Sequence, residues 1–193
     1  MLSYDESLKI LKKTNALLEG HFILSSGLHS KQYIQCAKLL SHPEKAELIC
    51  SSLTEKIKQK FNQIDIILSP AMGGIVVGYE IGRQLKIETV FAERIDGSLI
   101  LRRGFQIKEN SNVLIVEDVI TTGKSALECS NIVKTSRANL VGFSCIIDRS
   151  NEEVLIKDKI VYQIKLKIDT YKNKELPDDL KKIQPTKPGS RNL

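Results

Sequence analysis

The sequence predicts an α/β fold: a central, mostly parallel sheet with helices on both faces. Ile64 to Pro70 reads as a short buried strand, and Val113 to Val116 are four apolar residues in a row, as a central strand covered on both sides requires. Each leads into a glycine-containing turn and then a helix-forming stretch. This strand-then-helix order occurs at least twice, which calls for parallel strands joined by right-handed crossovers.

The elements can be justified in order. From Pro43 to Phe61 the apolar residues Ala46, Ile49, Leu53, Ile57 and Phe61 recur every three or four positions, the spacing of one buried helix face. Ser41 and Glu44 match a capping box at its start, with His42 at the helix entrance. The strand "IDIILSP" follows, then the helix "GGIVVGYEIGRQL" and the strand "IETVFA". Between Phe91 and Asn110 the pattern weakens and charge rises, so this stretch reads as a mobile segment. After the strand beginning at Val113, Gly123 to Arg137 reads as a helix and "LVGFSCIID" as the next strand. In "KIVYQIKLKI", Ile164, Leu166 and Ile168 alternate with Lys165 and Lys167, a strand with one wet face.

With 193 residues and 41% hydrophobic content, the chain fits a single domain, 1–193, able to bury a substantial core. No apolar run is long enough to cross a bilayer, and "MLSYDESLKILKK" lacks the order of a secretory signal, so a cytoplasmic protein with no membrane partner is expected. Cys36, Cys50, Cys129 and Cys145 are scattered singly, without a C-x-x-C pair; reduced, buried thiols are expected rather than a zinc site or disulfides. The net charge is +6, and from Tyr171 onward six basic residues face three acidic ones. Half of the surplus therefore sits in a basic tail, predicted to be partly disordered from about Leu176. With few aromatics and no nucleic-acid-binding motif, no nucleic-acid partner is expected.

Ligands of open α/β sheets bind at the carboxyl ends of the strands. Three loops qualify: Ser69 to Gly74, Glu117 to Ser125, and Asp148-Arg149. The run "VLIVEDVITTGKS" ends like a Walker phosphate loop, but Asp118 occupies the position where that loop needs its first glycine, which argues against a P-loop ATPase. A buried strand instead meets two carboxylates, Glu117 and Asp118. Beyond them, the turn at Thr121 to Ser125 opens a helix with free N–H groups, suited to a compact anion such as a phosphate monoester. Carboxylates repel polyphosphate but accept hydrogen bonds from sugar hydroxyls. In "SPAMGGI", Gly73 and Gly74 let backbone N–H groups approach a ligand closely.

The thirteen residues Val113 to Ser125 resemble the phosphoribosyl-diphosphate (PRPP) motif of the type I phosphoribosyltransferases. "SPAMGGI" is similar to that family's pyrophosphate loop. Phe22, Leu24, Ser26 and Gly27 look like the N-terminal hood of the orotate phosphoribosyltransferases, with hood elements expected over about 1–42. Asp148-Arg149 matches their Asp-Arg pair, and "KPGSR" at Lys187 to Arg191 is a further echo.

The resemblance implies transfer of ribose 5-phosphate from PRPP to orotate, giving orotidine 5-monophosphate and pyrophosphate in pyrimidine (UMP) biosynthesis. It implies PRPP binding by Glu117, Asp118, Val119, Ile120, Thr121, Thr122, Gly123, Lys124 and Ser125, and by Ala71, Met72, Gly73 and Gly74. Orotate would meet Thr121, Arg149, Ser25, Ser26 and Gly27; a guanidinium fork suits a base carrying only acceptors at its carboxylate and carbonyls. The family pattern has lysines where this chain has Ser25 and Gly73, so the charge facing the diphosphate is assigned to Arg94, Arg102 and Arg103, beside the catalytic Glu117 and Asp118. Mg2+ would arrive with PRPP and take no dedicated protein ligands. A homodimer sharing the 93–110 segment across its interface is implied as well. The alternatives are a purine-base phosphoribosyltransferase and a PRPP-sensing regulator without turnover.

Overall fold

The computed structural model of the chain describes residues 1–24, 26–156 and 160–188. It begins with helix α1 (Tyr4–Lys13), strands β1 (Leu17–Ile23) and β2 (His29–Ile34), and the short helix α2 (Cys36–Leu40). The long helix α3 (Pro43–Lys60) leads to β3 (Ile66–Pro70), α4 (Gly73–Leu85) and β4 (Glu88–Ile95). Then come β5 (Ser98–Leu101), β6 (Asn112–Ile120), α5 (Lys124–Thr135) and β7 (Asn139–Asp148). The last elements are β8 (Ile160–Lys165), β9 (Thr170–Tyr171) and α6 (Asp178–Lys181).

Six strands form the central sheet in the order β5-β4-β3-β6-β7-β8, all neighbours parallel except the antiparallel edge pair β4–β5. Val113, Leu114, Ile115 and Val116 on β6 are fully buried, so this four-residue apolar run is the covered central strand that its composition requires. Its two faces feed separate cores. Leu114 and Val116 join Ile49, Leu53, Ile57, Val77 and Ile81 from α3 and α4. Val113 and Ile115 join Ala126, Cys129 and Val133 from α5 on the opposite side. Burying each of Ile49, Leu53 and Ile57 contributes about 1.5–3 kcal/mol, enough to hold α3 on the sheet despite its weakly amphipathic remainder. All four cysteines are buried and free.

The second, antiparallel sheet is the hood, β1-β2-β9. His21 and His29 are buried at its centre, with 2.7 Å between His21 Nε2 and His29 Nδ1. His21 Nδ1 lies 2.8 Å from the Ile183 carbonyl, which can only accept, so Nδ1 carries the hydrogen. The Thr186 N–H donates to the His21 carbonyl and the Ile23 N–H to the Thr186 carbonyl, both at 2.8 Å. The described tail to Pro188 is therefore folded, not disordered as its composition predicts. Backbone pairing with β1 and the buried Leu180 outweigh the surrounding lysines.

Three further expectations change. The capping box at Ser41 and Glu44 is not formed: His42 is the N-cap of α3, without a side-chain hydrogen bond, and the Ser41 hydroxyl donates to the Lys38 carbonyl at the end of α2. Pro43 at the first helical position sets the start instead. A capping box does form at Ser3 and Glu6 on α1. β4 runs past Ala92 to Ile95, turns at Asp96-Gly97, both at positive φ, and returns as β5. The 93–110 segment thus opens as a hairpin with the Asp-Gly turn that suits one. The strand in "KIVYQIKLKI" stops at Lys165, short of Ile168.

α4 sits unusually close to β3. A Cβ built at Gly78 would lie 2.0 Å from the Ser69 hydroxyl and 3.0 Å from Ser69 Cβ. Helix propensity alone favours alanine over glycine by about 1 kcal/mol, but this overlap opposes it. Gly78→Ala is expected to lower stability by about 1–3 kcal/mol in urea denaturation. Ser69→Ala, which removes the obstructing hydroxyl and a buried oxygen lacking a partner, should recover part of that loss.

Candidate active site

β3 is followed by β4 on one side of the sheet and β6 lies on its other side, so the strand order reverses between β3 and β6. α4 leaves β3 toward one face, and α5 leaves β6 toward the other. A cleft of about 800 Å³ opens above these two strand ends. Its walls are the loop from Pro70 to Gly74, the run from Glu117 to Ser125 apart from Ile120, and Arg94 and Gly97 from the β4–β5 hairpin.

The acids occupy the end of β6. Glu117 is only 8% exposed, and its Oε1 is buried with no hydrogen-bond partner among the described residues. Burial, reinforced by the neighbouring Asp118 charge, pushes the Glu117 carboxyl up to about 8; the Ala126 backbone N–H partly offsets this. Burial also raises Asp118, against the pull of the Val119 backbone N–H. Asp118 approaches the opposite loop closely enough that a Cβ at Gly73 would fall 2.4 Å from its Oδ2. Glycine at 73 is thus what lets the two loops meet; the lysine that the family pattern has there could not occupy this backbone position without displacing the acid.

The turn after the acids leads directly into α5. Gly123, at φ 74°, is the N-cap of α5 without a side-chain hydrogen bond of its own; the Lys124 N–H makes a long contact of 3.4 Å to the Thr122 hydroxyl and the Ala126 N–H faces Glu117, which leaves the Ser125 N–H for a ligand and the Lys124 N–H only weakly engaged. Behind the turn, Leu155 N–H donates to the Thr122 carbonyl at 2.9 Å, and Ile156 packs against Gly123. This supporting segment carried no sequence signal. α4 likewise starts at the cleft, with Met72 as N-cap and no acidic residue in its first turn. The Ala71–Met72 peptide is cis, and Ala71 N–H donates to the Ala92 carbonyl at 2.8 Å, tying the loop to β4.

The remaining candidates are dispersed. Arg94 reaches the cleft and is paired with Glu128 of α5 at 2.9 Å. Arg103 makes a two-pronged pair with Glu93, at 2.9 and 3.1 Å, and Arg102 lies 3.8 Å from the same carboxylate; neither lines the cleft. Arg149 follows β7, its N–H bonded to the Ile120 carbonyl, with Nε buried and unpartnered among the described residues. Asp148 before it is buried and paired with Lys165 at 3.1 Å. Ile120 is buried in the core, and Ser26 and Gly27 sit on the turn between β1 and β2, outside the cleft lining. Ser25 and the Gly189 to Arg191 part of "KPGSR" lie outside the described residues. Glu128 and Gly97 were missed by sequence reasoning. Glu128 sits 34 positions from its partner Arg94, whereas Gly97 was findable from the Asp-Gly hairpin signal.

Residues 37–180 match the phosphoribosyl transferase domain family. The chain is 46% identical to the orotate phosphoribosyltransferase of Caldicellulosiruptor bescii over 190 residues, 98% of this chain and 99% of that protein. It is 44% identical to that of Chlorobium phaeobacteroides, over 95% and 94% of the two chains. Among solved structures, the orotate phosphoribosyltransferase of Aeropyrum pernix superposes with a TM-score of 0.72 at 24% identity, covering 82% of this chain and 93% of that one. The adenine phosphoribosyltransferase of Thermoanaerobacter pseudethanolicus reaches 0.60 at 15% identity, over 70% and 88%, so the fold alone does not separate the two bases. Identity above two-fifths along nearly the whole length does separate them, and the chain belongs to the phosphoribosyltransferase family, among the orotate phosphoribosyltransferases.

Proposed function

We propose that this chain transfers the ribose 5-phosphate group of PRPP to N1 of orotate, releasing pyrophosphate and orotidine 5-monophosphate. The single observation that carries this reading is the meeting, in one cleft, of the buried Glu117 and its neighbour Asp118 with two glycine-opened helix starts. The turn from Thr121 to Ser125 takes the 5-phosphate, and the Ala71 to Gly74 loop takes the diphosphate on its backbone N–H groups. Glu117 and Asp118 accept the ribose hydroxyls, which gives the orphaned Glu117 Oε1 a partner. As the bond from C1 to the diphosphate breaks, positive charge develops on the sugar; that charge and the ligand's hydroxyl donors draw the proton off the buried Glu117 carboxyl, and the acid pair beneath the sugar then stabilises the charge.

Mg2+ belongs to the same reading. Among the described residues no three His, Cys, Asp or Glu side chains converge, which accords with an ion that arrives with PRPP and is held mostly by substrate oxygens and water. When bound, the ion neutralises charge on the leaving diphosphate. Arg94 adds protein charge on the hairpin side, and the 93–110 segment closes over the cleft to exclude water. Arg149 reads the base. Its buried, unpartnered Nε is a donor that a carboxylate or carbonyl of orotate would satisfy.

The reading includes a homodimer. Met72, Val76 and Tyr79, spaced four and three apart on α4, are 82%, 48% and 66% exposed, an apolar stripe beside the cleft that a second copy would cover. Among the described residues no helix is long and apolar enough to cross a membrane, and a cytoplasmic setting is part of the proposal.

The decisive assay is the loss of orotate absorbance on mixing with PRPP and Mg2+; no loss at micromolar protein refutes the reading, and loss of adenine or hypoxanthine instead favours the purine alternative. Glu117→Gln combined with Asp118→Asn should lower kcat/KM about 10²–10³-fold, ~2.7–4 kcal/mol of transition-state stabilisation. Turnover within about threefold of the parent would refute the role of the acids.

Protonation of Glu117 also makes a stability prediction. Its carboxyl has an ordinary value of 4.5 in the unfolded chain and about 8 in the folded one. Between these values the folded state holds a proton that the unfolded state has lost, so the contribution is complete below 4.5 and disappears as pH rises through 8. Glu117→Gln removes this dependence. In calorimetry without ligand, the variant should gain on the parent by on the order of 2–4 kcal/mol between about pH 5 and about pH 8.5. A pH-independent difference would contradict the buried-acid picture.

A further inference from the structure

Glu128 is not accounted for by the PRPP motif, yet it joins three parts of the cleft. It lies one turn into α5, the helix whose first N–H groups form the phosphate turn. Its carboxylate accepts from Arg94 Nη1 at 2.9 Å and from Arg94 Nη2 at 3.3 Å. The same carboxylate accepts from the Leu99 backbone N–H at 3.1 Å. Arg94 and Leu99 are register partners across the β4–β5 hairpin, and Arg94 Nη1 also donates to the Gly97 carbonyl at 2.6 Å. One carboxylate thus grips both strands of the hairpin and fixes them to α5. The Glu128 side chain is more buried than that of Arg94, so the acid is the fixed member and the guanidinium the one still open to the cleft.

We infer that Glu128 is a positioning residue that sets Arg94 at the diphosphate end of the cleft. This rests on the reading of the cleft given above. Arg94 has five N–H donors in a planar fork. Those engaged by Glu128 and Gly97 fix the plane of the guanidinium, and the rest are left for an anion. Without Glu128 the hairpin keeps the apolar packing of Leu99 but loses its only side-chain hydrogen bonds to α5 among the described residues, and the arginine must be ordered by the ligand itself, which lowers affinity.

The competing possibility is that Glu128 merely neutralises Arg94 and weakens anion binding; the two have opposite signs. Inorganic pyrophosphate titrated into the full chain with Mg2+, followed by calorimetry, reads the effect without orotate or turnover. Glu128→Ala should weaken binding about 10-fold, and Arg94→Ala at least as much. In the double variant the loss should equal that of Arg94→Ala alone, since the effect passes through the arginine. Glu128→Gln keeps an acceptor for Leu99 and preserves the hairpin if Glu128→Ala unfolds; it should still weaken binding, by about 3-fold or more. In steady state the loss should appear in KM for PRPP, with KM for orotate within twofold.

Tighter pyrophosphate binding by either Glu128 variant, unchanged binding, or additive losses in the double variant would overturn the assignment. A parent chain that binds pyrophosphate but does not consume orotate refutes the proposed reaction while leaving the role of Glu128 to be decided by the same titrations. A parent that binds no pyrophosphate overturns both.

Discussion

The reversal of strand order between β3 and β6 is the constraint on which the site depends. Two neighbouring parallel strands send their helices to opposite faces, so the ends of both strands stay uncovered while everything around them is packed. The exposed ends bring two helix starts, α4 and α5, to one crevice. Neither has a side-chain cap at its N-cap residue, and although the Ile75 N–H is taken by the Met72 carbonyl and the Lys124 N–H lies 3.4 Å from the Thr122 hydroxyl, other first-turn N–H groups face the crevice. The close approach also favours residue type: any side chain at Gly73 would have to displace the Asp118 carboxylate, and Gly123 suits an α5 start that is left-handed with Ile156 against it.

The same geometry makes the site costly to the fold. Glu117 follows four fully buried residues near the end of β6, and its carboxylate is kept from water without a cationic partner among the described residues. Burial therefore favours its neutral form, as the rise to about 8 records. A packed apolar pair would be more stable here. The acids make sense only with a ligand that supplies hydroxyl donors and developing positive charge, which is how a functional site differs from a core defect.

What could be read from the sequence follows from how local each feature is. Val113 to Ser125 could be read almost whole, because strand, acids, turn and helix start are contiguous and each residue type has its own physical reason. α3 was readable from its period, but its cap was not: Ser41 closes α2 by bonding to Lys38, a competitor invisible without knowing that α2 exists. The tail could not be read from composition, since Thr186 is held to His21 and Ile23 by main-chain atoms that every residue has. Nor could the pairing of Arg94 with Glu128, which depends on the hairpin folding back over α5. The hairpin itself had a local signal in Asp96-Gly97, overridden in the reading by the surrounding charge.

Strand parity explains how the three arginines of the 93–110 segment divide. Glu93 and Arg94 are consecutive on β4, so their side chains leave opposite faces of the hairpin. Glu93 gathers Arg103 and Arg102 on one side, while Arg94 is delivered to α5 and the cleft on the other. Arg103 also lies over the Phe91 ring, 5.8 Å from its centre, and Phe91 in turn meets Phe105 edge-on at 5.1 Å. Those contacts fold the segment back onto β4 through Arg102 to Phe105. The exposed ion pairs involved are each worth only about 0–1 kcal/mol. A polyanion in the cleft can therefore compete for Arg102 and Arg103 by electrostatic attraction alone, whereas Arg94 is already in place. In this arrangement one arginine is preset by Glu128 of α5 and the Gly97 carbonyl, and two are held nearby by weak contacts on a segment that can still be drawn inward.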